Sequence, residues 1–269
     1  MKLCLKYHMV LIAALVWLLP LNSFATTPKN IHVSILPQKY FVERIGGKLV
    51  NVDVLVKPGK SPATYSPSPD QIKKLAASDI YFRIGVPFEN SFLEKILSIS
   101  SMIIVDTRKN IVLRRMETHH HDGKNKNTGI GNDPHIWMNP VLVKIQAHTI
   151  FTALSNLDPD NNDIYKKNYI LFTNELDELD NRLKTAFKHL KTKNLFVFHP
   201  SFGYLTDAYN LKQIAVESMG KAPKGKTLSS IIKQAKKQKA KVIFAQPQFD
   251  RNAAQKIASA INGVVMIID

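Results

Sequence analysis

Cysteine is almost absent from this chain of 269 residues, which contains only Cys4. A single cysteine excludes a disulfide framework and a zinc finger built on cysteine ligands. Beyond Ala25 no segment approaches about 18 consecutive apolar residues, so the body of the chain is not expected to span a membrane. Acidic residues are also scarce, 21 against 37 Lys and Arg, which gives a net charge of +16. Hydrophobic residues make up 45%, however, and this fraction is typical of a folded globular protein.

The N-terminus has the pattern of an export signal. Two lysines precede an apolar stretch at 9–19, and a small-x-small site ends at Ala25. This pattern predicts a secretory signal peptide over 1–25, with an uncleaved membrane anchor as the alternative. Because Cys4 lies before the apolar stretch, we expect a periplasmic protein that is not a lipoprotein. A cysteine-free mature chain suits an oxidising compartment, and export argues against nucleic acid as the partner of the positive charge.

Short apolar segments alternate with helical patterns along the chain. Helix starts are indicated at Ser68-Pro69-Asp70-Gln71 and at Asn139-Pro140, where capping residues precede or accompany proline. Further amphipathic helices are predicted at 228–237 and 252–261. This alternation predicts an α/β fold with mainly parallel sheets covered by helices. The predicted strands are 31–36, 52–56, 80–84, 102–105, 195–198, 211–216, 242–245 and 264–268.

One long amphipathic stretch interrupts this alternation. Its apolar residues are spaced alternately four and three apart from Tyr165 to Leu190, which predicts a helix of about seven turns. A helix of that length is unusual inside a compact α/β unit. We therefore interpret it as a helix that links two domains, with a coiled-coil seam as the alternative. The predicted division is an N-terminal lobe at 26–159 with a polar loop at 118–132, a linking helix at 160–190 and a C-terminal lobe at 191–269.

Two histidines and one carboxylate stand at ends of ordered segments. His199 directly follows a predicted strand, Asp269 follows the last strand, and His135 precedes a predicted helix. Open α/β sheets bind their ligands at the carboxyl ends of the strands. Two imidazoles and a carboxylate would suit Zn²⁺ or a similar divalent ion. Polar strand ends occur in any fold, so the spacing alone also permits a chain without a site.

Two further motifs invite a functional interpretation. The run His119, His120 and His121 could bind a transition metal loosely, or could be an ordinary solvated loop. The segment 220–227 matches the phosphate-loop pattern G-x-x-x-x-G-K-T. Gln246, however, follows the next strand where a magnesium-binding Asp would be needed. That segment therefore favours a basic turn at the start of a helix.

Several segments resemble the zinc/manganese solute-binding proteins of bacterial ABC importers, and the zinc-type members in particular. The most specific match is Asp133–Pro140 (DPHIWMNP). The segments 57–65, 198–204 and 264–269 resemble the first metal loop, the third metal loop and the last strand of that family. The resemblance covers essentially the whole mature chain, and the polar histidine-rich insert is typical of zinc-type members.

The resemblance implies two α/β lobes joined by one long rigid helix, with a metal in the cleft between them. The implied ligands are His135, His199 and Asp269, and His119–His121 are possible accessory ligands. The implied role is capture of Zn(II), with Mn(II) or Fe(II) as alternatives, and delivery to a cognate ABC permease in the inner membrane. A monomer that performs no catalysis and binds no nucleic acid is implied.

The chain departs from the family pattern in two places. Ala63 stands where the family usually has a ligand histidine, and alanine has no donor atom. His32, Glu217 or Gln246 would be poorer replacements for this ligand than the loop histidines. The family also continues beyond the position of Asp269, so we expect a truncated C-terminal lobe with part of an apolar sheet face uncovered. The alternatives are a metal-buffering or adhesion protein without a transport role, a degenerate family member and, with less support, a zinc hydrolase, although no His-Glu-x-x-His motif is present.

Overall fold

The computed structural model describes residues 27–116 except 94–95 and 97–99, then 131–217, 223, 225–247, 249 and 251–268. The predicted signal peptide, the run of three histidines at 119–121 and Asp269 lie outside the described residues. So does half of the phosphate-loop-like segment 220–227, namely residues 220–222 and 224.

The chain folds into alternating strands and helices, as the sequence predicted. The N-terminal half contains β1 (Lys29–Val33), α1 (Leu36–Gly46), β2 (Val50–Val54), α2 (Pro69–Ala76), β3 (Ile80–Arg83), β4 (Ile103–Asp106), α3 (Pro140–Leu157) and α4 (Asn162–Lys188). The C-terminal half contains β5 (Asn194–Val197), α5 (Gly203–Ala208), β6 (Lys212–Ala215), α6 (Gly225–Lys237), β7 (Val242–Ala245), α7 (Arg251–Ala260) and β8 (Val264–Ile267).

The strands form two parallel sheets of the same topology. Their orders are β2-β1-β3-β4 and β6-β5-β7-β8, and every pairing within them is parallel. The repeated order is a structural repeat that the sequence does not display. In each sheet the order reverses beside the first strand, and this switch point is where open α/β sheets bind ligands. His199 follows β5, which borders the switch point of the second sheet.

Element boundaries agree with the prediction where capping residues fix them. Ser68 Oγ accepts a hydrogen bond from Gln71 N at 3.3 Å, and Gln71 Oε1 accepts from Ser68 N at 3.1 Å, which completes the predicted capping box of α2. The first strand was predicted at 31–36 but ends at Val33. Pro37 stands in the first turn of α1, and proline favours that position because its missing N–H has no helical partner there.

Helix α4 spans 27 residues and packs against both halves of the molecule. Tyr165 and Phe172 are buried in the core of the N-terminal half. Near the other end, Asp180 Oδ1 accepts a hydrogen bond from the hydroxyl of Tyr209 at 2.9 Å. Leu190, which the apolar stripe included, is exposed beyond the helix end. In the described parts of the chain, no helix has the length and apolarity needed to cross a membrane.

The two faces of the second sheet are covered unequally. Helices α6 and α7 bury one face in a continuous apolar cluster. On the other face, Val264 and Met266 lie beside Val242 and Phe244 in the register of β7 and β8. Their exposed fractions are 56% and 50%. Part of this apolar face is therefore open.

Candidate metal-binding site

His135 and His199 come from different halves of the chain and meet. His135 lies immediately before a short 3-10 turn that leads into α3, and His199 lies two residues beyond β5. Their Nε2 atoms are 3.3 Å apart, and the two rings are nearly perpendicular. The sequence placed both residues at ends of ordered elements but could not show that they converge.

A buried carboxylate lies behind each imidazole. His135 Nδ1 is 2.6 Å from Asp133 Oδ1, and His199 Nδ1 hydrogen-bonds Glu217 Oε1. Both carboxylates are nearly inaccessible to solvent. Because an ionised carboxylate only accepts hydrogen bonds, each Nδ1 carries the hydrogen in the neutral imidazole. Each Nε2 is then left with a lone pair, and the two Nε2 atoms are only 3.3 Å apart.

This arrangement favours a positive charge between the rings. Two lone pairs at this separation repel unless a proton or a cation binds to them. Burial lowers the pKa of His135 below the ordinary imidazole value, although hydrogen bonding to Asp133 acts in the opposite direction, and the charge of a protonated His199 lowers it further. The neutral form of His135 is the form that binds metal ions.

Aromatic rings enclose the pair. Phe249 stacks on the ring of His199 with centroids 4.5 Å apart, and Trp137 lies 5.0 Å from the ring of His135. Such walls restrict the imidazoles to one orientation and reduce access of water, which strengthens electrostatic interactions inside the site.

Arg114 ties the two halves together behind His135. Its Nη1 lies 3.5 Å from Asp133 Oδ2, and its Nε lies 3.1 Å from Asp207 Oδ2 on α5. Tyr204, also on α5, donates a hydrogen bond from its hydroxyl to the carbonyl of Asp133 at 2.9 Å and accepts one from the backbone N–H of Arg114 at 3.0 Å. The carboxylate that orients His135 is thus held by a network that includes the other half of the molecule.

Gly203 leaves the space that this network occupies. A Cβ at this position would lie 1.2 Å from Arg114 Nη1 and 2.9 Å from Asp133 Oδ2. We expect Gly203→Ala to displace the guanidinium and to lower the free energy of unfolding by about 1–3 kcal/mol, measured by urea denaturation. Gly131→Ala is the matched control, because a Cβ there meets nothing within 4 Å. Equal stability of the two variants would contradict the expected clash.

The other candidate ligands have different surroundings. Ala63 is exposed on the loop between β2 and α2, where its N–H donates to Ser61 Oγ. His32 is buried in β1 beside Ser78 Oγ, at 2.6 Å, and Gln246 Nε2 donates to Ser201 Oγ at 2.5 Å. Glu217 is committed to His199. Among the residues whose structure is described, no group of three or more His, Cys, Asp or Glu side chains is arranged to hold a metal ion.

The positions of the two carboxylates behind the histidines were not predicted from the sequence. Asp133 belongs to the motif DPHIWMNP, and its position two residues before His135 was visible but not interpreted. Glu217 was considered only as a poor replacement ligand. It follows β6 at the same sheet edge as His199, and a carboxylate at a strand end beside a candidate ligand was the available signal.

Comparisons with known proteins point to one family. The family model for ZnuA, described as the periplasmic component A of the zinc-uptake complex, matches residues 31–269. A crystal structure of ZnuA superposes with a TM-score of 0.82 at 40% identity, covering 90% of this chain and 91% of that chain. The high-affinity zinc uptake system protein ZnuA of Bacillus subtilis (strain 168) is 26% identical over 253 residues, which are 89% of this chain and 78% of that protein.

A protein of Chlamydia muridarum (strain MoPn / Nigg) is 30% identical over 191 residues, which are 71% of this chain. The alignment covers 66% of that protein, just under two thirds of its length. The matched zinc-uptake proteins are transport components and not enzymes.

Proposed function

The chain belongs to the ZnuA family of periplasmic zinc-uptake components, and from this premise we propose that it captures Zn²⁺ between His135 and His199 and delivers the ion to an ABC importer. Zinc is the cargo, and the chain performs no chemistry on it. Nitrogen ligands favour zinc over magnesium and calcium.

The observation that carries the proposal is the approach of the two Nε2 atoms to 3.3 Å. Two nitrogens bound at about 2.0–2.1 Å to a tetrahedral zinc ion lie roughly 3.3 Å apart. The two nitrogens therefore already have the spacing of one edge of a zinc tetrahedron. A carboxylate bonded to the far nitrogen of a ligating histidine is also the usual support of such ligands in zinc sites, since it fixes the tautomer and the ring orientation.

We assign the third ligand to Asp269. Val197 of β5 is level with Phe244 of β7, which is level with Met266 of β8. Because the strands are parallel, the chain beyond β8 reaches the same sheet edge as His199. A carboxylate would supply a third ligand and neutralise part of the charge of the ion. Isothermal calorimetry of metal-stripped protein tests this assignment: Asp269→Asn should weaken zinc binding, and unchanged affinity would remove Asp269 from the ligand set.

Ala63 leaves the fourth position to water or to a histidine of the 119–121 loop. A site with three protein ligands and one open position should bind zinc less tightly than a site with four protein ligands. The open position should also allow the ion to dissociate more readily. We expect Ala63→His to tighten zinc binding by about tenfold or more and to slow dissociation, measured by competition with a chelator. Ala63→Gln is the control of similar size. Equal effects of the two substitutions would mean that position 63 does not face the metal.

Zinc binding should depend on pH through the two imidazoles. Neutral imidazole binds the metal and protonated imidazole does not, so affinity should be nearly constant above about pH 7 and fall as the pH drops below the ordinary imidazole pKa of about 6.5. Because the pKa of His135 is lowered, protonation of this residue should reduce zinc affinity only at a more acidic pH. Calorimetry from pH 5 to 8 should show up to two protons displaced per ion at the acidic end. Constant affinity over this range would contradict histidine ligation.

Transport itself needs a separate measurement. A bacterial strain that lacks its own zinc-binding component should regain growth in zinc-poor medium when it expresses this chain with its cognate permease and ATPase. Rescue by the wild type but not by His135→Ala would support delivery to an importer. Zinc binding without any rescue would instead favour a metal-buffering or adhesion role for the same site.

A further inference from the structure

The positive charge of the C-terminal half is gathered at one edge of its sheet. Residues 191–269 contain thirteen Lys and Arg against four Asp and Glu. Seven of these lysines lie near the amino ends of the strands. They directly precede β5, begin β6, or stand between the last turn of α6 and the start of β7. Because β6 and β7 are parallel, the helix between them runs back to the amino ends of the strands. We call these seven residues the basic edge: Lys191, Lys193, Lys212, Lys236, Lys237, Lys239 and Lys241.

The segments that carry the lysines of the basic edge lie side by side, and these lysines make no ion pair within the described part of the chain. The backbone N–H of Lys212 donates to the carbonyl of Lys193 at 2.7 Å, so adjacent strands begin at the same level. Neighbouring strands are only about 4.8 Å apart. The segments 189–193, 210–212, 236–241 and 261–263 contain no Asp or Glu. Among the described residues, the ion pairs made by lysine involve Lys39, Lys144 and Lys184, none of which belongs to this edge.

Exposed apolar side chains adjoin these lysines. Val264 begins β8, and its N–H donates to the carbonyl of Lys241 at 2.9 Å. Its exposed fraction is 56%. Further along β8, away from the lysines, Met266 and Ile267 are exposed to 50% and 44%. β8 is the last strand in the order of its sheet, so its outer edge is unpaired within the described part of the chain. A row of lysines beside exposed apolar groups matches the headgroup and acyl boundary of a bilayer.

We propose that the basic edge and the adjoining end of β8 dock the protein on an anionic phospholipid surface. The headgroup phosphates would neutralise the crowded ammonium groups, and Val264 would lie at the level of the first acyl carbons. A soluble polyanion as the partner would account for the lysines but not for the exposed apolar residues. The four segments of the basic edge contain no Phe, Tyr or Trp on which a nucleobase could stack, and a polyanion would leave the apolar strand exposed. The docking surface is separate from the His135–His199 pair and does not depend on the proposed zinc function.

The test uses protein purified from the periplasm of an expressing bacterium. Its binding is measured by co-sedimentation with phosphatidylglycerol-containing vesicles and with phosphatidylcholine vesicles. One variant changes five basic-edge lysines to Gln, and its control changes five exposed lysines of the N-terminal half, which gives both variants the same net charge. The first set is Lys191, Lys193, Lys212, Lys239 and Lys241, and the second is Lys48, Lys57, Lys60, Lys73 and Lys109.

We expect salt-sensitive binding of the wild type to the anionic vesicles only. Binding should be weaker by about three orders of magnitude in the basic-edge variant, since each of the five lysines contributes roughly a factor of five near such a surface. The control variant should lose less than about threefold, because its lysines do not face the vesicle. Free inorganic phosphate at about 10 mM should not displace the wild type, because a single phosphate cannot span the edge. Zinc titration of both variants should match the wild type, which shows that they are folded.

Three results would overturn the proposal. Equal losses in the two variants would mean that net charge alone attracts the protein. No binding of the wild type to anionic vesicles would remove the docking surface. Tighter binding to heparin or to an oligonucleotide than to vesicles, with the same loss in the basic-edge variant, would assign the edge to a soluble polyanion. None of these results bears on zinc capture, which has its own titration.

Discussion

Replacing either histidine of the pair should nearly abolish zinc binding. We expect His135→Ala and His199→Ala each to lower zinc affinity by at least about 100-fold, because each removes one of two nitrogen ligands that already converge at 3.3 Å. The double variant should lose little more than either single variant, since one imidazole cannot hold the ion alone. Calorimetry of metal-stripped protein gives the affinity and the stoichiometry, which should be one zinc ion per chain in the wild type.

His189→Ala is the matched control, because His189 is an exposed histidine at the C-terminal end of α4 that does not belong to the His135–His199 pair. Its affinity should equal that of the wild type. Zinc binding that survives the substitution of His135 and of His199 would mean that the metal binds at another site. If binding is weak, survives both substitutions and disappears when 119–121 is deleted, the loop holds the metal and the pair does not.

Much of the fold was accessible from local sequence signals. The alternation of apolar and amphipathic segments predicted both parallel sheets, and the spacing from Tyr165 onward predicted α4. The end of the first strand was misplaced because apolar residues continue beyond Val33 to Ile35 and Leu36. Hydrophobicity alone could not show that Leu36 and Pro37 leave the strand to begin a helix. The common topology of the two sheets could not be predicted, because strand order depends on long-range pairing.

The sequence singled out His135 and His199 as candidates, but it could not show how they are arranged. His135 and His199 are 64 residues apart, and only the packing of the two halves brings their Nε2 atoms together. The resemblance of the surrounding motifs to a known family identified them. The pairing of Glu217 with His199 required the register of β5 and β6, which places the ends of both strands at one edge. Arg114 belongs to no recognisable sequence motif. Its ion pairs with Asp133 and Asp207 become evident only in the three-dimensional structure.

The carboxylates behind the histidines should matter nearly as much as the ligands. We expect Asp133→Asn and Glu217→Gln each to weaken zinc binding by about 10–100-fold without touching the metal. An amide of the same shape can donate its N–H₂ to Nδ1. That bond would stabilise the tautomer with hydrogen on Nε2, which cannot bind zinc until the ring changes tautomer. Even where the amide oxygen accepts from Nδ1–H, the imidazole loses the negative charge that makes it a stronger donor.

The two variants should differ in stability rather than in affinity. Asp133 also accepts from Arg114 and from the backbone N–H of His135, so Asp133→Asn weakens an ion pair in the network that reaches Asp207. Glu217 has only His199 as a hydrogen-bonding partner for its side chain among the described residues. We therefore expect Asp133→Asn to lower the urea midpoint of the metal-free protein more than Glu217→Gln does. Loss of stability without loss of zinc affinity in either variant would mean that the carboxylate only supports the fold. Loss of affinity in both variants with an unchanged midpoint in Glu217→Gln would instead establish that orientation of the imidazoles, and not packing, prepares the pair for zinc.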